Sequence, residues 1–348
     1  MPGLRYLSRR LQPGRLRAPR LPEPLKPRRR RTLDILFLLL GLALLLIAGD
    51  LLVRGAVALS LRLGIPALIV GLTVVAFGTS APELLISIQA ALDGAPGIAV
   101  GNVVGSNIAN VLLVLGLPAL FAAIAPSHAE SRRSYFQMLG ATILLILLCL
   151  LGPLHFWHAA VLLACFAAML VDMVREGRKH PGHLVEDIET LASYMSQRRM
   201  VLFLALGIVG LPLGARCLIT GAVGLSREFG ISEAVIGLTI VAVGTSLPEL
   251  ATTLVAALRR HSDVAMGNVI GSNLFNILSI LGFASLFGPI PVAAGFLERD
   301  LWVMLGCALL LGGFVLLGRP VGRGAGAVFL LAYVGYLAVL VLSRGTPA

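Results

Sequence analysis

Long runs of apolar residues follow one another along most of the chain and are separated by short polar stretches. A helix needs about 20 apolar residues to cross a bilayer, so each run of this length predicts a membrane span. Strict alternation of apolar and polar residues, which a membrane barrel would need, does not occur in the sequence. The pattern predicts an all-α membrane protein with ten transmembrane helices, at 34–62, 66–92, 97–124, 136–152, 154–173, 199–226, 232–258, 264–288, 299–318 and 323–343.

Two segments of the chain are near copies of two later ones. Residues 71–84, GLTVVAFGTSAPEL, recur at 237–250 as GLTIVAVGTSLPEL, and residues 101–110, GNVVGSNIAN, recur at 267–276 as GNVIGSNLFN. Both pairs are separated by 166 positions, the difference between 237 and 71 and between 267 and 101. The equal offset indicates an internal duplication.

The most polar break in the chain lies at 174–198 and divides the predicted helices into five at 34–173 and five at 199–343. An odd number of spans per copy inserts the second copy upside down relative to the first. The sequence therefore predicts two inverted five-helix repeats, an architecture in which the binding site lies between the repeats.

The basic charge of the chain is concentrated at its start. Residues 1–33 hold eleven Arg and Lys against Glu23 alone, which accounts for +10 of the net +11. This Pro- and Arg-rich tail has few apolar residues to bury and is predicted to be disordered. It either contacts anionic lipid headgroups or is a dispensable extension, such as one produced by an upstream start codon. Because no folded soluble domain accompanies the tail, nucleic acid is not expected as a partner.

Basic residues at the span ends favour one orientation in the membrane. Thirteen of them, from Arg54 to Arg323, fall on one predicted face, whereas the other face holds only Arg227, Arg299 and Arg344 apart from the tail. The positive-inside rule then places the 174–198 loop in the cytoplasm and both termini outside. The tail itself argues for the reverse orientation.

The first repeated motif brings oxygen atoms to one side of a kinked helix. Pro82 has no N–H with which to bond the carbonyl of Gly78, so the helix loosens there. At membrane depth the freed carbonyls are tolerated only against protein, water or an ion. Helical spacing of i, i+3, i+4 and i+7 places one carbonyl, two hydroxyls and a carboxylate on one face, from Ala76, Thr79, Ser80 and Glu83, and again from Ala242, Thr245, Ser246 and Glu249.

The second motif adds polar side chains at i, i+4 and i+8, namely Asn102, Ser106 and Asn110, and then Asn268, Ser272 and Asn276. A cage of oxygen atoms with two carboxylates suits a hard cation such as Ca²⁺ or Na⁺. Two ionised glutamates match one Ca²⁺ or two Na⁺. Asn102 and Asn268 either join this cage or cap helix starts. Asn107 and Asn273 lie off the stripe and are predicted to bond backbone between helices.

The doubled GTSxPEL and GNVxGSNxxN motifs resemble the α-repeats of the cation/calcium exchanger superfamily, and in particular its prokaryotic sodium/calcium exchangers. The resemblance covers residues 34–343. It implies Na⁺/Ca²⁺ exchange by alternating access, through sliding of the first and sixth helices. It also implies that the ion ligands are the carbonyls of Ala76 and Ala242 together with Thr79, Ser80, Glu83, Ser106, Asn110, Thr245, Ser246, Glu249, Ser272 and Asn276. Some relatives carry Asp at the position of Asn110 or Asn276, so the stoichiometry and any dependence on K⁺ stay open.

Two alternatives to Na⁺/Ca²⁺ exchange remain. The same two glutamates would serve a Ca²⁺/H⁺ antiporter if desolvation favours their protonated forms. An intramembrane hydrolase is a distant alternative, because it needs distinct acid and base environments and the histidines lie outside the motifs. The expectation is a monomeric transporter, not an enzyme, in a bacterial inner membrane, with the lipid bilayer as its surroundings, Ca²⁺ and Na⁺ as substrates and no cofactor.

Overall fold

The computed structural model describes residues 27–63, 67–92, 96–126, 128–179, 195–228, 244 and 246–344. The helices are α1 (Pro27–Leu63), α2 (Ala67–Val70), α3 (Ala76–Thr79), α4 (Ala81–Leu92), α5 (Pro96–Ala109), α6 (Gly116–Ala119), α7 (His128–Leu150), α8 (Phe156–Lys179), α9 (Gln197–Glu228), α10 (Leu247–Leu258), α11 (Ser262–Leu274), α12 (Leu281–Ala284), α13 (Leu301–Leu317) and α14 (Arg323–Arg344). Four π-helical turns interrupt them, at Gly71–Val75, Asn110–Val114, Phe275–Ile280 and Phe296–Asp300. No β-strand occurs within these ranges.

Eight helical stretches of the described chain are long and apolar enough to cross a membrane. The continuous helix predicted at 66–92 is wrong, because this stretch consists of α2, a π-helical turn, α3 and α4, with a break at Ser80. The helix predicted at 232–258 is described only at residue 244 and from residue 246 onward, where α10 accounts for its second half.

Two boundaries differ from the sequence prediction. α1 begins at Pro27, so residues 27–33, which were assigned to the disordered tail, are helical. The earlier part of the tail lies outside the described residues. The helices on either side of the central polar stretch also extend into it, since α8 ends at Lys179 and α9 begins at Gln197.

The helices that carry the repeated motifs form the centre of the bundle. The apolar window of Ser262–Ala284 is entirely buried and that of Gly97–Ala119 is mostly buried, whereas most of α1, α9 and α14 is exposed. Large apolar side chains such as Leu39 and Ile47 point outward from α1. In a membrane protein such exposed apolar surface faces lipid, so α1 and α9 lie at the periphery and the motifs lie inside.

α1 and α9 pack against each other as an antiparallel pair with close backbone contact. A methyl group added at Gly41 would overlap Leu218, and one added at Gly207 would overlap Leu52. The offset of 166 relates Gly41 to Gly207 and Leu52 to Leu218, so these two contacts are equivalent to each other. The same equivalence relates the contact of Gly55 with Leu204 to that of Gly221 with Leu38. Glycine permits this approach, as small residues do at interfaces between membrane helices.

Candidate ion-binding site

The break before each glutamate has the same geometry in both motifs. Ser80 ends α3 with φ −89° and ψ 6°, and Ser246 precedes α10 with φ −86° and ψ 7°. Helical hydrogen bonding resumes at once, with the backbone nitrogen of Leu84 3.1 Å from the oxygen of Ser80. Because Pro82 and Pro248 cannot donate to the preceding turn, the kink that the sequence predicted is present in both copies. Glu83 and Glu249 therefore each stand in the first turn of a new helix.

The two carboxylates are buried, and a hydrogen bond links one of them to the motif of the other repeat. Glu83 and Glu249 are each 1% exposed. The hydroxyl of Ser80 donates to Oε1 of Glu249 over 2.9 Å. Among the described residues, neither oxygen of Glu83 has a hydrogen-bond donor, and the same is true of Oε2 of Glu249 and of the hydroxyl of Ser246. The arrangement is thus unequal, since the carboxylate of Glu249 accepts a hydrogen bond and that of Glu83 accepts none from the described part of the chain.

Asn102 and Asn268 hold the glutamate helices to the neighbouring helices. The side-chain nitrogen of Asn102 lies 3.1 Å from the backbone oxygen of Glu83 and 2.9 Å from the hydroxyl of Ser87. Asn268 makes the equivalent bonds to the backbone oxygen of Glu249, over 3.2 Å, and to the hydroxyl of Thr253, over 2.9 Å. Both asparagines lie inside helices α5 and α11, so the suggestion that they cap helix starts is wrong.

Asn110 and Asn276 direct their side-chain nitrogens at asparagines of the other repeat. The nitrogen of Asn110 lies 3.0 Å from the side-chain oxygen of Asn273, and the nitrogen of Asn276 lies 3.0 Å from that of Asn107. The oxygens of the Asn110 and Asn276 side chains have no donor among the described residues. Asn107 also donates to the backbone oxygen of Asn273 over 3.3 Å, which is the interhelical backbone bond that the sequence predicted for it, whereas the bond described for the nitrogen of Asn273 goes to the sulfur of Met138.

The predicted ligand residues divide into three groups. Buried side-chain oxygens without a partner in the described chain come from both motifs, at Glu83, Asn110, Ser246, Glu249, Ser272 and Asn276. The carbonyl of Ala76 already accepts from the backbone nitrogen of Ser80 and from the hydroxyl of Thr79, over 2.9 and 3.2 Å. Ser106 is buried on α5, while Ala242 and Thr245 lie outside the described residues.

Sequence reasoning missed the second bonding role of Asn107 and Asn273, which is to hold the amides of the predicted ligands. A signal was available, because Asn107 and Asn273 are themselves repeated with the offset of 166. It also missed the π-helical turns, one beginning at Asn110 and the other containing Asn276. Such turns occur frequently at functional sites and change which side chains share a helix face.

The donor set is chemically uniform. Its unpartnered atoms are carboxylate, amide and hydroxyl oxygens, the ligands that hard cations prefer. Within the described ranges, no cluster of three or more His, Cys, Asp or Glu side chains could hold a metal ion. Buried oxygens without donors are costly unless a cation or water satisfies them. The geometry therefore fits a site that binds a hard cation.

The sequence profile of a family described as sodium/calcium exchanger protein matches residues 33–174 and 199–342. The chain belongs to the sodium/calcium exchanger family. It is therefore an integral membrane protein of a transporter family, not an enzyme.

Individual members of the sodium/calcium exchanger family align over most of the chain. The sodium/calcium exchanger MaX1 of Methanosarcina acetivorans is 34% identical over 345 residues, which cover 89% of the present chain and 99% of MaX1. The inner membrane protein YrbG of Escherichia coli is 35% identical, with 87% of the present chain and 95% of YrbG covered. A solved structure of the sodium-calcium exchanger NCX_Mj superposes with a TM-score of 0.77 at 33% identity, covering 89% of the present chain and 99% of NCX_Mj. These similarities place a cation exchanger fold around the site described above.

Proposed function

We propose that this protein is a secondary antiporter that exchanges Na⁺ for Ca²⁺ across the membrane by alternating access. The observation that carries the proposal is the set of buried side-chain oxygens that have no partner among the described residues, contributed by both repeated motifs and including those of Glu83 and Glu249. MaX1 and NCX_Mj, which resemble the chain over nearly its whole length, bear the name sodium/calcium exchanger. In this proposal the twelve predicted ligands form the cation site, including Ala242 and Thr245.

The charge of the site fits this pair of ions. With both carboxylates ionised, one Ca²⁺ or two Na⁺ leave the cage neutral, whereas three Na⁺ leave it at +1. An unpaired charge at the membrane centre costs several kcal/mol, about 2.5–3.5 on insertion scales, so the cage will rarely be empty of cations. If the empty site cannot switch from one side of the membrane to the other, transport of one ion requires transport of the other ion in the opposite direction. Because Asn110 and Asn276 add no charge, a third Na⁺ must bind weakly if it binds at all.

The two halves of the chain act as inverted repeats in this proposal, with α1 and α9 as the elements that slide. Three observations support it: the two helices occupy equivalent repeat positions, run antiparallel, and lie at the lipid-facing periphery. The asparagine bonds between the second motifs, by contrast, tie the two halves of the bundle's centre together. Sliding of the outer pair past this fixed centre would expose the cage to one side of the membrane at a time.

α9 meets both kinked segments at a glycine. Ile208 lies against Gly78, and Ile219 lies against Gly244, where added methyl groups would overlap the isoleucine side chains. The offset of 166 relates the two glycines. Each kink thus presents a smooth backbone surface to α9, which is the kind of surface that permits one helix to slide along another.

The remaining parts of the proposal concern the setting of the protein. It has ten membrane spans in the bacterial inner membrane, the location named for YrbG, with the 174–198 stretch in the cytoplasm. Contacts between span ends support a common face for the basic residues on which this orientation rests, since Arg62 at the end of α1 donates to the backbone of Met195 before α9, and Arg133 of α7 pairs with Asp172 of α8. The transporter works as a monomer in the bilayer, without a cofactor or nucleic acid.

The competing function is Ca²⁺/H⁺ exchange by the same cage, which the free oxygens of Glu83 would serve equally well. Purified protein in proteoliposomes separates the two. We expect an outward Na⁺ gradient to drive uptake of radioactive Ca²⁺ with no pH gradient present. Uptake driven by a pH gradient alone, with no response to Na⁺, would favour the proton exchanger. Choline in place of Na⁺ is the control.

A further inference from the structure

Two hydrogen-bonded chains, each made of three side chains, lead from a buried methionine to one of the two ligand asparagines. In one, Asn273 points its nitrogen at the sulfur of Met138, over 3.6 Å, and accepts from the amide of Asn110. In the other, Asn107 points its nitrogen at the sulfur of Met304, over 3.8 Å, and accepts from the amide of Asn276. All six side chains are buried, and the offset of 166 relates the first chain to the second residue by residue.

The direction of the hydrogen bonds in each chain is set by the methionine at its end. A thioether sulfur accepts hydrogen bonds but cannot donate them. The amide of Asn107 therefore turns its nitrogen to Met304 and to the backbone oxygen of Asn273, and its oxygen to Asn276. Met138 orients Asn273 in the same sense. Neither asparagine can be turned without setting an amide oxygen against another acceptor.

The direction of these hydrogen bonds decides which side-chain atom of Asn110 and Asn276 is available to a cation. With the nitrogens of Asn110 and Asn276 bonded, their oxygens are the atoms left without a partner among the described residues. A reversed amide would point N–H groups at a cation and an oxygen at the oxygen of Asn107 or Asn273. Both contacts are repulsive and, in a buried site, poorly screened.

We propose that Asn107 and Asn273, oriented by Met304 and Met138, are positioning residues that make Asn276 and Asn110 present oxygen to the cation. The same bonds require a hydrogen-bond donor at positions 110 and 276, which an amide supplies and an ionised carboxylate does not. The chains thereby hold the cage at two negative charges, the number that one Ca²⁺ neutralises. This inference rests on the proposed cation site.

The test is a double-mutant cycle on Ca²⁺ transport in proteoliposomes, with KM and kcat measured separately. We expect Asn107→Ala to raise the KM for Ca²⁺ about tenfold, the lower end of the usual cost of losing a residue that orients a metal ligand. In an Asn276→Ala background the same substitution should change KM by less than about twofold, because its partner is gone. Asn273→Ala paired with Asn110→Ala should repeat the result in the other half.

The matched control is the cycle of Asn107→Ala with Asn102→Ala, two asparagines of one half that share no hydrogen-bond partner among the described residues. Here the effects on KM should multiply. Equal effects of Asn107→Ala with and without Asn276, or no effect of Asn107→Ala alone, would overturn the proposal. Where Asn107→Ala does not fold, Met304→Leu keeps the volume and removes only the acceptor. We expect it to raise KM about twofold, and an unchanged KM would count against the proposal.

A second readout separates this inference from the exchange reaction. Ca²⁺ that binds the folded protein raises its unfolding temperature in detergent without any Na⁺ gradient. If the wild type shows this protection but no Na⁺-driven uptake, the proposed exchange fails and the cycle on Ca²⁺ protection decides the role of Asn107. If Ca²⁺ gives the wild type no protection, the positioning proposal fails.

Discussion

The hydroxyl of Ser80 donates a hydrogen bond to Oε1 of Glu249 across 2.9 Å, although the two residues belong to different repeats. The equivalent pair, Ser246 and Glu83, has no such bond, and the Ser246 hydroxyl has no partner among the described residues. Two copies of nearly the same sequence therefore hold their glutamates differently in this conformation. An alternating-access transporter is expected to show such inequality, because each state exposes one half of the site more than the other.

This inequality predicts different effects for two matched substitutions. Ser80→Ala removes an oxygen ligand and the donor that orients Glu249, whereas Ser246→Ala removes an oxygen ligand alone. We expect both to raise the KM for Ca²⁺, and Ser80→Ala to raise it by about threefold more, the equivalent of one modest hydrogen bond. Initial rates of uptake over a range of Ca²⁺ concentrations would measure this. Equal KM values would show that the bond has no part in binding.

The close packing of α1 on α9 predicts a size limit at Gly41. A methyl group there would overlap the backbone of Leu218, whereas one at Gly140 of α7 meets nothing within 4 Å. We expect Gly41→Ala to lower the free energy of unfolding by about 1–3 kcal/mol, the usual cost of overpacking, and to slow exchange. Gly140→Ala is the matched control and should behave as the wild type. Unfolding temperatures in detergent and uptake rates compare the two, and equal values would show that the helices separate freely.

The ion pair between Asp50 of α1 and Arg259, next to the end of α10, joins a proposed sliding helix to the motif helices. Asp50 also pairs with Arg54 over 2.9 Å within α1. If α1 slides, the bond to Arg259 exists in only one set of states. We expect Asp50→Asn to change kcat for exchange by about twofold to fivefold with little change in KM, because a partly exposed pair contributes up to about 1 kcal/mol.

Charge reversal provides the control for that ion pair. In an Arg54→Ala background, which avoids placing two arginines one turn apart, Asp50→Arg combined with Arg259→Asp should bring kcat back towards the value of that background, whereas either reversal alone should not. Failure of the double reversal to recover activity beyond the single ones would mean that the pair has no role in the movement of α1.

Loop charge predicts an orientation that chemical labelling can measure. In a variant without Cys149, Cys165, Cys217 and Cys307, a cysteine at position 181 should react with an impermeant thiol reagent only from the cytoplasm. A reporter fused after Ala348 should read as extracytoplasmic. The opposite pattern would show that the arginines at the start of the chain, and not the distributed loop charge, set the topology.

The sequence predicted those parts of the site that depend on local chemistry. Proline without an N–H predicted the kinks, because this effect acts within a few residues. The repeat offset and the apolar runs predicted an all-helical membrane protein. The kinks and the all-helical class can be predicted without knowing which helices contact each other.

What the sequence did not predict depends on contacts between distant segments. The bond from Ser80 to Glu249 and the bonds of Asn107 and Asn273 to the ligand amides form only when the two motifs pack together. The π-helical turns were likewise not predicted, because an apolar run gives no sign of where an extra residue enters a helical turn. Asn102 could be read as a helix cap because capping and interhelical bonding use the same amide.

The most direct test of the account is Ca²⁺ uptake by Glu83→Gln and Glu249→Gln in proteoliposomes with an outward Na⁺ gradient. Each substitution keeps the shape of the side chain and removes half of the cage's charge, so Ca²⁺ is left without full neutralisation. We expect each to lower uptake by about 100-fold or more, since an unbalanced charge at this depth costs several kcal/mol, while the protein stays folded in detergent. Exchange at the wild-type rate in either variant would contradict the assignment of the site.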